Sequence, residues 1–549
     1  MSIEDIKKKV ESRIDGNAED MIGIAKTILD MPEPGYREFK TSKYTEEQFN
    51  KYSFSNIEKV SMTGLKAVID TGRPGPTVCV MGELDSLVVL GHPHADADTS
   101  AAHACGHHCQ IAMMIAVGQS LNDPEVLKGL SGKIVLVAVP AEENIEVEFR
   151  NNLREEGKIE FLLGKQEFVK LGALDGVDIA MMTHTSHSNP PSILGIGGTN
   201  NGTVSKSIKF KGKASHAGGA PHNGINALNA AMLAMAGIHF QRETFKDEDT
   251  IRIHPIITRG GAAVSSVPAD VRMETYVRGS SIEGFLDASK KVDRALRAGA
   301  MAIGASVEIT TLPGYLPLDQ NKNISNLYEN NSIRLVGDQG IDRTNVGKIG
   351  GFSTDMGDMS QLIPTIHPSV HSTSGDGHGI DYVVTDYNAA VITAAKAMAL
   401  TVVDLLHGNG EKAKEIVDKF EPRYTKESYL KLLRSMYKQE FYLFVAFTFL
   451  SDSKSVLDES LTFFSPIIPS GLNTMTNVIS NPIIKNFKFG SARKPGKKSV
   501  HVHIAHTIKA PMIAPLLFPL PPTISIAQII KVAIKGSKVK GSRYLIPCA

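Results

Sequence analysis

A chain of 549 residues exceeds what one hydrophobic core usually serves, so two or three domains are expected. With 42% hydrophobic residues, 21% charged residues and a net charge of +1, the composition is that of a globular enzyme. It excludes nucleic acid or a membrane surface as the partner of the whole chain. The balance hides an asymmetry: no Asp or Glu follows Glu459, so that last stretch carries about +12 and the preceding part about −11.

Ile3, Ile6, Val10 and Ile14 form a charged amphipathic pattern rather than an apolar signal core. Four cysteines (Cys79, Cys105, Cys109 and Cys548) are too few for a disulfide scaffold, and a cytoplasmic location is expected. Residues 1–50 read as one or two helices interrupted at Met31-Pro32-Glu33-Pro34-Gly35, a turn no helix crosses. Thr77 to Met81 reads as a buried strand ending at Gly82-Glu83-Leu84-Asp85. A loop bearing Cys105, Gly106 and His107 then enters a helix through Ile111 to Leu121. Gly132 to Val139 is a second buried strand, running into Pro140-Ala141-Glu142-Glu143, and Val177 to Met182 a third, ending at Thr183-His184.

Apolar strands alternating with helices predict an α/β fold, with a mostly parallel sheet flanked by helices. Residues 198–315 change character: strands around Thr203–Phe210 and Val271–Val277 alternate, and helices near 225–240 and 282–303 separate them. They predict a smaller α+β domain inserted between two parts of the large one, 1–197 and 316–436. The second part carries a Gly-rich loop from Gly350 to Asp358, then His367, His371 and His378, and an Ala-rich helix over about 386–406. From Tyr437 this grammar breaks down. The apolar run 441–450 is half the roughly 20 residues that span a bilayer, and Pro511–Pro522 is proline-rich. Residues 437–549 are therefore expected to be a poorly ordered basic tail.

In each predicted strand the ligand-capable residues come just past the C-terminal end, the edge where open α/β sheets place their sites. A thiol and an imidazole one residue apart suit Zn, Mn, Co or Ni rather than Mg or Ca. Adjacent Glu142 and Glu143 point in different directions, so one can bind metal while the other faces substrate. Acids ending an apolar strand are costly to ionise unless paired with protons or cations. Together these residues read as a metal-hydrolase site.

His103-Ala104-Cys105-Gly106-His107, Pro140-Ala141-Glu142-Glu143, Ser215-His216-Ala217-Gly218 and Ser353-Thr354-Asp355-Met356-Gly357-Asp358 stand in an order and spacing that resembles one family. This is the amidohydrolase branch of the aminoacylase and carboxypeptidase metallopeptidases, and the resemblance covers roughly residues 1–436. It implies two divalent ions, with Cys105 bridging them and His107, Glu143, His184 and a late histidine completing the ligands. His378 is the choice for that last ligand over His367 or His371. The resemblance further implies Glu142 as general base and Asp85 as the acid orienting a ligand from behind. His216, on the inserted domain, would reach the partner's site in a homodimer and steady the oxyanion. Glu83 and His108 depart from the branch, which usually has Asp at the first position and often at the second, and Cys109 adds a second thiol nearby.

The expected activity is hydrolysis of an N-acyl or aroyl amino acid or a small peptide-like conjugate. A di- or tripeptidase and a catalytically silent binding protein of the same fold are the alternatives. A DNA-binding reading of the basic tail has no motif support. The metal reading requires the Cys105 sulfur and the Glu143 carboxylate to lie within about 8 Å of one another, given ligand bonds of roughly 2.0–2.3 Å.

Overall fold

The computed structural model describes residues 1–448 and 462–467. The central sheet has six strands in the order Ser55–Val60, Gly64–Asp70, Lys133–Val139, Thr77–Glu83, Ile179–Met181 and Thr365–Ile366. The last four run parallel and the first two pair antiparallel at one side. Past its first residue, each of the strands Lys133–Val139 and Thr77–Glu83 is buried, which is why both read as unbroken apolar runs instead of alternating ones.

Helix His107–Leu121 is buried along its whole length and packs on strand Thr77–Glu83. It has no acidic or Lys/Arg residue, and its apolar positions run all round, as expected of a helix enclosed by other elements. Helices Ile3–Gly16, Ala18–Leu29 and Ala394–Leu406 pack against it and close one side of the core. Three helices occupy the first 51 residues, the third being Phe39–Lys51, where one or two were expected. The 19-residue segment Asn388–Leu406 is apolar and long enough to cross a membrane, but most of it is buried as core.

The inserted domain is an antiparallel sheet in which strand Gly202–Lys211 lies between Asp270–Gly279 and Ser306–Pro313. Strand Asp270–Gly279 alternates between buried and half-buried residues, so one face is covered. Helices Ala227–Phe240 and Ile282–Ile303 pack against each other and against this sheet. The expected α/β architecture with an inserted α+β domain is the one observed.

Past the 436 boundary, strand Lys438–Thr448 pairs antiparallel with Ser306–Pro313, from Lys438 opposite Thr311 to Tyr442 opposite Val307. The rest of the expected tail, 449–461 and 468–549, lies outside the described residues.

Candidate metal centre

The site gathers at the C-terminal edge of the parallel strands. Glu83 closes its strand and Asp85 follows it. Glu142 and Glu143 come just after Lys133–Val139, and His184 just after Ile179–Met181. Cys105 and His107 flank Gly106 at the start of helix His107–Leu121. Gly106 has φ +85°, and a Cβ there would collide with the Thr185 hydroxyl and sit 2.7 Å from that of Tyr382. The backbone can turn between the two ligands only without a side chain.

Two groups of ligand atoms share the Cys105 sulfur. Cys105, His107 and His184 form one, Cys105, Glu143 and His378 the other, and within each group all ligand atoms lie within 4.8 Å of one another. The requirement set by the Cys105–Glu143 separation is met. Cys105 Sγ is 3.2 Å from His184 Nε2, and His378 Nε2 is 3.4 Å from Glu143 Oε1. Both core imidazoles have their other nitrogen fixed: His107 Nδ1 donates to the Asp85 carbonyl at 2.9 Å and His184 Nδ1 to the Thr185 carbonyl at 2.6 Å. A carbonyl only accepts, so each ring carries a hydrogen on Nδ1 and turns Nε2 toward the cluster.

Of the three late histidines, His378 joins Cys105 and Glu143. Its amide donates to the Ala104 carbonyl at 2.9 Å, and its backbone holds φ +67°. His371 is turned toward Asp342, 3.3 Å away, and the Ser186 hydroxyl. His367 stacks near His184, with ring centroids 5.8 Å apart.

Asp85 lies behind these groups and is fully buried. Its Oδ2 accepts from the Glu143 amide at 2.9 Å, and its Oδ1 is 3.3 Å from His107 Nδ1. Arg150 backs it, with one guanidinium nitrogen 3.8 Å from Asp85 Oδ2 and another donating to the carbonyls of Ala141 and Leu162. Glu142 is buried beside His107, with Oε2 3.9 Å from Nε2. Burial, then the charges of Glu83 and Glu143, hold the Glu142 carboxyl well above the usual carboxylate range. Burial and Glu143 likewise push the Cys105 thiol up, so a thiolate there needs a cation.

The residues fit a pair of metal ions on two observations. Glu83, Asp85, Glu142, Glu143 and Asp355 are all buried around one point. Glu83 Oε2, His107 Nε2 and Glu143 Oε1 are buried with no hydrogen-bond partner. The donor set of thiol, imidazole and carboxylate is that of a borderline divalent metal.

His216 is not brought to this cluster. It sits exposed on the inserted domain, and its Nδ1 accepts from the amides of Gly218 and Gly219. Conversely, the structure adds Lys165, which the sequence reading left aside. It is fully buried and bonded to Glu83 and Asp355. In sequence, Gly164-Lys165-Gln166-Glu167 reads as a solvated helix start, and the only hint was the unusual Glu83.

Residues 199–302 match a peptidase dimerisation domain. The chain is 26% identical over 422 residues to the Xaa-Arg dipeptidase of Mus musculus, covering 74% of this chain and 90% of that one. It is 28% identical over 257 residues to one of the p-aminobenzoyl-glutamate hydrolase chains of Escherichia coli, covering 45% and 54%. Among solved structures it resembles a dinuclear metal binding peptidase of the M20 family from Bacillus subtilis, with a TM-score of 0.52 at 20% identity. That match covers 71% of this chain and 99% of the other. The resemblance read from the four motifs is borne out, and the inserted domain lies where the dimerisation domain matches.

Proposed function

We propose that this protein is a metal-dependent amidohydrolase that cleaves the amide bond of a dipeptide or an N-acyl amino acid. The observation that carries the reading is the pair of ligand groups sharing Cys105, with an uncommitted buried carboxylate, Glu142, beside them. Cys105, His107 and His184 would hold one ion, and Cys105, Glu143 and His378 the other. Bound there, two divalent ions lower the pKa of water and polarise the amide carbonyl. Manganese or zinc suits the donors best, with cobalt or nickel as further candidates.

Glu142 takes a proton from the attacking water and returns it to the leaving nitrogen, so that one water is consumed for each amide cleaved. Asp85 and Arg150 hold His107 and the Glu143 backbone in register behind the ligands. The dimerisation-domain match supports a homodimer, in which the exposed His216 of one chain would complete the other's site by hydrogen bonding the oxyanion. The free thiols of Cys79, Cys105 and Cys109 suit a reducing, cytoplasmic setting.

The dipeptidase relative is covered over most of its length and the aminobenzoyl-glutamate hydrolase over about half, so dipeptides head the substrate panel. The test is turnover of dipeptides and N-acyl amino acids by protein loaded with manganese or zinc, alongside Glu142→Gln. That variant should keep its metal and lose roughly 10²–10⁴ in kcat. Wild-type turnover by Glu142→Gln, or no metal in the wild type, overturns the reading.

A further inference from the structure

Glu83 is buried, and its two oxygens have different surroundings. Oε1 accepts from Lys165 Nζ at 2.6 Å. Lys165 is itself fully buried and pairs with Asp355, whose carboxylate also accepts from the Lys165 amide at 3.2 Å. The ammonium is thus pinned between two carboxylates and fixes the rotation of Glu83. Oε2 is left pointing at His107 Nε2, 3.1 Å away, and neither atom is hydrogen bonded. Since His107 Nδ1 donates to the Asp85 carbonyl, Nε2 and the Glu83 oxygen face each other out of reach of water. A cation between them resolves the contact.

We propose that Glu83 is a fourth protein ligand of the ion held by Cys105, His107 and His184, and that Lys165 with Asp355 is the positioning pair that aims it. The proposal rests on the metal reading above and names a ligand outside the set that the resemblance implies. Two donors bonded at roughly 2.0–2.2 Å to one ion sit about 2.9–3.5 Å apart. The 3.1 Å between Glu83 and His107 and the 3.2 Å between Cys105 and His184 both fall near that interval. Glu142 lies with Glu83 and His107 in a third group whose ligand atoms are within 4.8 Å of one another, but at 3.9 Å from the same nitrogen it stands further off than Glu83 and is left for the proton. The two ions become unequal. The one beside Glu83 has four protein ligands and is closed, while the one beside His378 has three and keeps an open position for substrate or water.

The test is metal binding, without turnover. Metal-free protein is titrated with cobalt(II), whose visible absorption reports coordination number, and with zinc against a chromophoric chelator. In the wild type the first equivalent should give the intense absorption of a four-coordinate ion, and two binding steps should be resolved. Glu83→Gln keeps the Lys165–Asp355 pair and should weaken the tight step by more than the roughly 10- to 100-fold that loss of an orienting partner costs, while moving the loose one less than about threefold. His378→Ala should do the reverse, and Lys165→Met should weaken the tight step with Glu83 in place.

Three results overturn the proposal: weak, six-coordinate absorption at the first equivalent, both steps unchanged in Glu83→Gln, or loss of stability in Lys165→Met without loss of affinity. The last two would make Glu83 and Lys165 a structural ion pair. A wild type that binds no metal would instead overturn the amidohydrolase reading itself. Should Glu83→Gln fail to fold, Glu83→Asp, which keeps the charge but shortens the reach, should weaken the tight step likewise, and an unchanged tight step there overturns the proposal.

Discussion

Replacing Cys105 with alanine tests the sharing of one sulfur between two ions. Of the two groups that contain the Cys105 sulfur, each other ligand serves only one, so its loss should weaken one ion, whereas Cys105→Ala removes a donor from both. Partners that only orient a ligand are worth 10–100-fold in metal affinity. A shared anionic ligand should therefore cost more than about 100-fold for each ion, or about 2.7 kcal/mol apiece. The fold should tolerate the change. What anchors the loop is backbone, since the Cys105 carbonyl accepts from the Thr185 hydroxyl at 3.1 Å and that hydroxyl lies 2.8 Å from Tyr382's. The assay is metal per chain after dialysis, with chelator competition and circular dichroism as the check on folding. Cys105→Asp, which restores an anionic bridge of different hardness, should recover part of both affinities. Two ions retained at wild-type affinity by a folded Cys105→Ala would refute the shared sulfur.

Other expectations follow from single contacts. If His216 serves the neighbouring chain, mixing inactive Glu142→Gln and His216→Ala chains creates one intact site in each mixed dimer. Activity should return to about a quarter of wild type on random exchange; mixtures that stay inactive place His216 in its own chain's site, and full activity of His216→Ala alone places it outside catalysis. Burial holds the Asp358 carboxyl at about 7 against an ordinary 3.8, opposed by the hydrogen bond from Tyr429. A folded pKa above the unfolded one favours folding fully below pH 3.8, and this contribution is lost as pH rises through 7. Metal-free wild type should therefore lose up to ~4 kcal/mol relative to Asp358→Asn between about pH 4 and 8, read by urea unfolding. Parallel curves for the two proteins would dismiss the effect. Gly35 packs under the Glu142 loop, where a Cβ would collide with the Arg150 guanidinium and lie 2.7 Å from Ala141 Cα. Gly35→Ala should cost about 1–3 kcal/mol in unfolding measurements and lower turnover with it.

What could be read from the sequence was whatever depends on neighbours along the chain. The strand ends carrying Glu142-Glu143 and His184 are apolar runs that stop at ligand-capable residues, and Cys105-Gly106-His107 is a local pattern. Lys165 could not be found that way, because its partners lie 82 and 190 residues distant and a lysine at a helix start ordinarily faces water. Short strands such as Leu194–Gly195 and Thr365–Ile366 hold too few residues for any periodicity to show. Within the strand at Lys438–Thr448 the sequence shows only the apolar run that begins at Phe441, since the strand's partner, Ser306–Pro313, is remote in sequence.

The arrangement has a physical logic that a single chain leaves unfinished. Most of the ligands stand on or just past firmly held elements, the wholly buried helix at His107 and strands paired on both sides in the sheet, whereas His378 stands on an exposed turn. Acids crowded at one point raise the cost of the metal-free state, so the same crowding that disfavours it strengthens metal binding. Such a scaffold places a base and two cations with little freedom, as proton transfer to a substrate nitrogen requires. The remaining group, His216, stands exposed on a domain whose matched family is defined by dimerisation. Rigidity is built into the half of the site that binds metal. The residue proposed to meet the oxyanion, His216, is left on an exposed loop.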